Sequence, residues 1–256
     1  MAQATATLVN RPAWIDLSST DAAGSRDFYA KLFGWSVEVN PDPQYGGYAI
    51  AKQDNHDVAG IGPGMDPNAP TAWNLYLGTD DIDDLSRRLQ AAGGTVVAPA
   101  FDVGDQGRMA VYQDPSGAFI SAWQGSRMGG FQTEGANAFG WGELNARGVD
   151  RALPFYATIF GWTIKTMAES QPPYHEFQID GRSIAGAQEM NPMVPREVPS
   201  YWMVYFTVDD VDASHAKALA AGATEMLPPQ DFPGGRFSIA SDPQGATFGL
   251  MKTAPR

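Results

Sequence analysis

No cysteine occurs in the 256 residues. Disulfides, thiolate nucleophiles, iron–sulfur clusters and cysteine-ligated zinc are therefore excluded. Histidine is scarce, with three copies. Basic residues are outnumbered, 17 Lys and Arg against 29 Asp and Glu, for a net charge of −12. Binding to a phosphate backbone needs a basic face, so a nucleic-acid role is not expected. The same acidic surface repels anionic membranes and tolerates neutral or cationic ligands better. No apolar run approaches the ~20 residues of a membrane helix. Met1 to Asn10 has neither a basic start nor a long apolar stretch, so no leader is read there, and a cytoplasmic location is the expectation. A phosphate-binding loop, a GxGxxG after a strand and a GxSxG elbow are also absent. With 43 % apolar and 18 % charged residues the chain is globular in composition, and its length suits two domains.

The chain contains a long internal repeat. Phe28-Tyr29 and Phe33-Gly34-Trp35 recur as Phe155-Tyr156 and Phe160-Gly161-Trp162. Trp73, Tyr76 and Asp80-Asp81 recur as Trp202, Tyr205 and Asp209-Asp210. Gly107-Arg108 and Asp114-Pro115-Ser116-Gly117 recur as Gly235-Arg236 and Asp242-Pro243-Gln244-Gly245, so the offset is about 127 residues throughout. Such agreement reads as duplication of a half-chain domain. The expected domains are residues 8–124 and 137–253, joined by a glycine-rich linker at 125–136.

Each half divides again, into modules 8–66 and 70–124 and then 137–192 and 199–253. Trp14 to Ser18 has a strand pattern. Asp21 to Phe33 reads as a helix capped by Asp21 and stopped by Gly34. Three strands follow, at 35–39, 48–52 and 58–61. The next stretch repeats this order: strand 73–77, helix 81–92, and strands 95–98, 109–113 and 119–123. Helices are expected at 149–160 and 211–221 in the second half. Pro154 is expected near the first turn of its helix, where proline is tolerated. The fold class is thus α+β, with four βαβββ modules.

The helix ending FYxxLFGW, the TDDID run at Thr79 to Asp83, the DPxG turn at Asp114 to Gly117 and their copies resemble the vicinal oxygen chelate superfamily. That superfamily includes glyoxalase I, extradiol dioxygenases and bleomycin-binding proteins. The resemblance covers nearly the whole chain. It extends to two-domain glyoxalase-like proteins of actinobacteria and to glyoxalase-like accessory proteins of polyketide antibiotic pathways. It implies two tandem domains whose mixed sheets curve into cups around ligand sites.

In metal-using members, the resemblance places ligands at three strand positions of each half. Trp14, Asn74 and Ser121 stand there in the first half, and Trp141, Met203 and Gly249 in the second. Tryptophan and methionine are not ligands for a hard cation, and glycine has no side chain. His56, His175 and His215 read as structural or surface histidines, because no second ligand repeats beside any of them. No metal and no other cofactor is expected.

Strand alternation names what lines the cups instead. Asp16 faces as Trp14 does, and Glu143 as Trp141. Tyr76 follows Asn74 inward, and Tyr205 follows Met203. Phe119, Ser121 and Trp123 point inward with Met109 from the neighbouring strand. Phe237 and Met251 are the inward copies. Arg108 and Arg236 sit at the rim, either reaching a ligand or pairing with an Asp such as Asp102, Asp105 or Asp231. Asp16 and Glu143 are the sharpest candidates, since a carboxylate buried on a sheet is costly unless it is paired or used. One reading is a metal-independent protein that binds a flat, partly apolar organic molecule, such as an antibiotic or polyketide-like metabolite, between aromatic walls. The alternative is a cofactor-free isomerase, lyase, cyclase or oxygenase using Asp16 or Glu143 as general acid or base. A metal-dependent glyoxalase or dioxygenase is a minor third. The expected partner is a small aromatic molecule, with a cationic group among the options. The expected state is a monomer or homodimer, and one of the two cups is allowed to be a degenerate copy.

Overall fold

The computed structural model describes residues 8–128 and 130–254. The leader expectation for Met1 to Asn10 therefore falls mostly outside the described residues, as does position 129 of the linker. The first half runs β1 (Pro12–Ser19), α1 (Ala22–Phe33), β2 (Ser36–Val39), β3 (Ala49–Gln53), β4 (His56–Pro63), β5 (Ala72–Gly78), α2 (Ile82–Ala91), β6 (Thr95–Val103), β7 (Gly107–Gln113) and β8 (Phe119–Gly125). The second half repeats it with β9 (Phe139–Ala146), α3 (Val149–Phe160), β10 (Thr163–Met167), β11 (Tyr174–Ile179), β12 (Arg182–Glu189), β13 (Tyr201–Thr207), α4 (Val211–Ala220), β14 (Thr224–Phe232), β15 (Gly235–Ser241) and β16 (Thr247–Thr253). Each half supplies one eight-stranded mixed sheet, in the orders β2-β3-β4-β1-β5-β8-β7-β6 and β10-β11-β12-β9-β13-β16-β15-β14.

Local chemistry sets the helix ends. Asp21 accepts the Gly24 amide at 3.0 Å, and Gly34 closes α1 in the left-handed region at φ 76°. Asp81 and Asp210 cap α2 and α4 in the same way. α3 differs, because its N-cap is Gly148 at φ 80°, which has no side chain to offer. The Glu189 carboxylate at the end of β12 does the capping, taking the Gly148 and Val149 amides at 2.9 Å each. Since α3 starts at Val149, Pro154 is its sixth residue and lies inside the helix, one turn deeper than expected.

Compact units do not follow the halves. One comprises the described residues up to Trp14 and those of Leu75–Gly130 and Gly142–Trp202; the other comprises Ile15–Asn74, Phe131–Trp141 and the described residues from Met203 onward. In the second of these, Tyr29 of α1 is wholly buried among Phe28, Trp73, Phe206 and Phe248. The Trp73 indole donates to the Tyr29 hydroxyl at 2.8 Å, which donates to Asp242 Oδ2 at 3.0 Å. Asp242 Oδ1 meanwhile accepts the amides of Gln244 and Ala246, closing the DPxG turn. The other unit holds the same chain of bonds, from Trp202 to Tyr156 at 2.8 Å and on to Asp114 at 2.9 Å. The DPxG aspartates thus bind their own turn with one oxygen and a helix of the other half with the second.

Candidate active site built on two carboxylates

Helix packing decides which face of each strand is closed. Tyr112 of β7 shares a hydrogen bond with Ser86 of α2, so Ala110 and Tyr112 face the helix and Met109 and Val111 face away. Phe248 packs on Tyr29 and Phe28 of α1, which leaves Thr247, Gly249 and Met251 on the other side of β16. Trp73 and Trp202 bond to helix tyrosines, so Asn74 and Tyr76, and likewise Met203 and Tyr205, lie opposite the helices. Ile15 and Leu17 are fully packed, and Trp14, Asp16 and Ser18 alternate with them.

Asp16 is 8 % exposed. Its Oδ1 accepts the Asn74 amide at 2.8 Å, and its Oδ2 accepts the Tyr48 hydroxyl at 3.2 Å. The same Asn74 nitrogen reaches Ser18 Oγ at 2.9 Å. Gly60 makes room for this arrangement. It lies beside Asp16 in the parallel β1–β4 pair, and a Cβ there would sit 1.8 Å from the Tyr48 oxygen. Gly62, two residues on, lies under the same ring. Tyr48 therefore lies across a glycine stripe to reach the carboxylate.

Glu143, 7 % exposed, repeats the design in the other unit. Tyr174 donates to its Oε2 at 3.0 Å, and Gly186 lies beside it in the β9–β12 pair. The carboxamide donor has changed strands. Met203 stands at the Asn74 position, and Gln188 supplies the bond to Glu143 Oε1 at 3.0 Å, with Asn145 at 3.3 Å. Close to Glu143, burial and the nearby negative charge raise the Tyr201 phenol above its ordinary pKa.

The remaining candidates fall into strand neighbourhoods. Tyr76 is in register with Ser121, and Trp123 with Met109. Tyr205 is in register with Gly249, and Met251 with Phe237. Trp14, Tyr76, Ser121 and Trp123 are buried, whereas Phe119 is 51 % exposed at the start of β8. Trp141 is half-buried on β9. Arg108 and Arg236 are held chiefly by acids in the first turns of α2 and α4. Arg108 forks onto Asp83 at 2.7 and 3.2 Å, and Arg236 onto Asp212 at 2.7 Å through two nitrogens. Asp102 and Asp231 are additional partners, the latter at 2.8 Å. Among the histidines, His175 is buried and bonded to Thr166, and burial lowers its pKa below the ordinary value. His215 is buried against Glu225 at 3.0 Å.

Sequence reasoning missed Tyr48, Tyr174, Gln188 and the glycines. Tyr48 and Tyr174 are themselves a repeated pair, and Gly60-Ile61-Gly62 marks a strand face cleared for a ring.

The residues match the glyoxalase/bleomycin resistance protein/dioxygenase superfamily over 11–121 and again over 138–250. The chain belongs to this superfamily. It is 40 % identical over 253 residues to the Mycobacterium tuberculosis protein named "Putative glyoxylase CFP32", covering 96 % of this chain and 95 % of that one. It is 36 % identical over 259 residues to the anthracycline biosynthesis protein DnrV of Streptomyces peucetius, covering 94 % and 92 %. Its fold is similar to that of the Mn(II)-bound glyoxalase of Novosphingobium aromaticivorans, with a TM-score of 0.67 at 14 % identity over 96 % of this chain and 83 % of that one. The 2,3-dioxygenase LapB of Pseudomonas sp. KL28 gives the same score and identity over 97 % and 94 %.

The Novosphingobium glyoxalase holds Mn(II), so the fit of this chain to a metal is a direct question. Asn74 has its amide committed to Asp16 and Ser18. At position 249 a Cβ would lie 2.0 Å from the Tyr205 ring, so no ligating side chain fits there. Among the described residues no three His, Asp or Glu side chains gather around one point. These positions do not fit a divalent ion.

Proposed function

We propose that this protein is a metal-independent member of the superfamily that binds a flat, partly apolar organic molecule of the aromatic polyketide type. The observation that carries the reading is the buried carboxylate opposite the helices, held by a phenol and a carboxamide and rebuilt in the second half with a different amide. Packing alone would be met more cheaply by an apolar side chain, which needs no donor, yet both halves keep the buried carboxylate and supply it with a phenol and a carboxamide. A pre-oriented carboxylate beside aromatic rings suits a ligand hydroxyl or amino group, with stacking supplying the apolar part. The anthracycline biosynthesis relatives support the ligand class.

A second reading has an observation of its own. Tyr48 and Tyr174 each donate to the carboxylate, giving a phenol and acid that can exchange a proton with substrate. On that reading the same residues perform a cofactor-free isomerisation, lyase, cyclisation or oxygenation step.

The test is a fluorescence titration of metal-stripped protein with an anthracycline aglycone, with mass spectrometry of the recovered compound. Saturable tryptophan quenching without added metal and an unchanged ligand mass is the expected result. Asp16→Asn should weaken binding about tenfold, the value of one hydrogen bond to a charged group. A new product mass, lost in Asp16→Asn while binding persists, favours the enzyme. Saturation only after adding Mn²⁺ or Fe²⁺ overturns metal independence, and unchanged affinity in both Asp16→Asn and Glu143→Gln overturns the carboxylate anchor.

A further inference from the structure

Beside Ser18 a cavity of about 170 Å³ opens where β1 ends, lined by Thr20, Pro63, Asp66, Pro67 and Pro70 among others. Such a volume is below the ~300 Å³ of a whole drug-sized site and suits one group of a larger ligand. Ser18 joins it to the candidate site, since its Oγ shares the Asn74 amide with Asp16.

The second repeat shows what the corresponding place accepts. Thr20 donates its amide to Thr71 Oγ1 at 3.1 Å, and Arg147 donates its amide to Ser200 Oγ at 3.0 Å, so Thr20 and Arg147 are equivalent residues. Arg147 turns its guanidinium into its own β12–β13 loop. There it donates to the carbonyls of Val194 at 3.1 Å, Pro195 at 2.6 Å and Val198 at 3.1 Å. The first repeat has a threonine instead, and the space beside its β4–β5 loop is open. That loop also contributes Asp66, whose Oδ1 is taken up by the turn onto Asn68. Its Oδ2 is not part of that turn.

We propose that this cavity is a cation subsite, taking an ammonium or guanidinium group of the ligand in the place that Arg147 fills from within the chain in the other repeat. Asp66 supplies the charge, and the Ser18 and Thr20 hydroxyls supply neutral acceptors. The subsite deepens the small-molecule reading by giving the ligand a cationic arm whose flat portion lies toward Asp16.

The experiment is an NMR titration of the full chain with n-propylguanidinium, with neutral butyramide as its match in size. The guanidinium should shift the amides of Ser18, Thr20, Gly64 and Asp66, and butyramide should not. Asp66→Asn should weaken the probe about fivefold, as for a partly exposed ion pair. Thr20→Arg should abolish binding, because it places the second repeat's own guanidinium in the cavity. Equal shifts with butyramide, or undiminished binding in Asp66→Asn, overturn the proposal. Asp66 lies on an exposed loop, so its variant stays informative even if Thr20→Arg fails to fold. Probe binding without anthracycline binding keeps the cation subsite and rejects the ligand class, and the converse rejects the subsite alone.

Discussion

Replacing Tyr29 with phenylalanine removes one oxygen and leaves the ring. The ring contacts with Phe28, Phe33, Trp35 and Phe248 survive. Two hydrogen bonds do not: Trp73 loses its acceptor at 2.8 Å, and Asp242 loses its donor at 3.0 Å. Each orphaned buried group costs about 1–3 kcal/mol, so the variant should lose about 2–6 kcal/mol. In a chain of this length that lowers the melting temperature by roughly 5–15 °C. The loss should also depend on pH. Burial raises the Asp242 carboxyl above its ordinary range, and the Tyr29 hydrogen bond works against that rise. A raised folded-state value means this group's contribution is present below the unfolded pKa and is lost as pH rises through the folded one. Without the phenol the folded value climbs further, so the destabilisation should be larger at pH 7 than at pH 4. Differential scanning calorimetry at both pH values measures it. For the loss at a single pH, Tyr156→Phe is an internal replicate, since Trp202, Tyr156 and Asp114 form the same chain. The two networks share no residue, so the double variant should show the sum within about 0.5 kcal/mol. A loss below about 0.5 kcal/mol in either single variant, or equal losses of Tyr29→Phe at the two pH values, would refute the reasoning.

Gly60→Ala drives a methyl group into the Tyr48 phenol and should cost about 1–3 kcal/mol in urea denaturation while weakening anthracycline binding. Unchanged binding would separate Tyr48 from the site. His175 is held below its ordinary pKa by burial, so its contribution is complete above the unfolded value and fades as pH falls through it. The stability of wild type should therefore fall more steeply than that of His175→Gln between about pH 6.5 and 5, as followed by urea midpoints. Parallel curves would contradict this. Dialysis against EDTA should move the melting temperature by less than about 1 °C, because a bound ion would stabilise by mass action. A fall of several degrees, restored by one divalent metal, would reject metal independence.

Glu143 and Asp16 were legible from the sequence because they stand two residues after a repeated tryptophan, on strands where period-two alternation fixes the face. What surrounds them was not. Tyr48 reaches Asp16 from the residue just before β3, 32 residues away, and nothing local to either residue encodes the meeting. It depends on the β1–β4 register, which sets Gly60 opposite Asp16 and clears the space. The move of the amide from Asn74 to Gln188 was equally hidden, because a positional comparison of the halves sees only a lost asparagine at Met203. Arg108 and Arg236 stand second in β7 and β15, and their forks onto Asp83 and Asp212 needed the helices docked.

The repeat, the four βαβββ modules, the caps of α1, α2 and α4 and the DPxG turns follow from local rules: side-chain period, capping oxygen, and glycine where φ is positive. These interactions span a few residues, so a linear chain displays them. The partners of the buried polar groups were decided only in three dimensions. Tyr29 meets Asp242 across 213 residues, and Tyr156 meets Asp114 across 42. Compact units form by joining the first module to the fourth and the second to the third, a choice made by ring packing and buried hydroxyls rather than by order in the chain. Burial makes every unpaired polar atom expensive, and only the assembled structure determines which residue arrives to pair it.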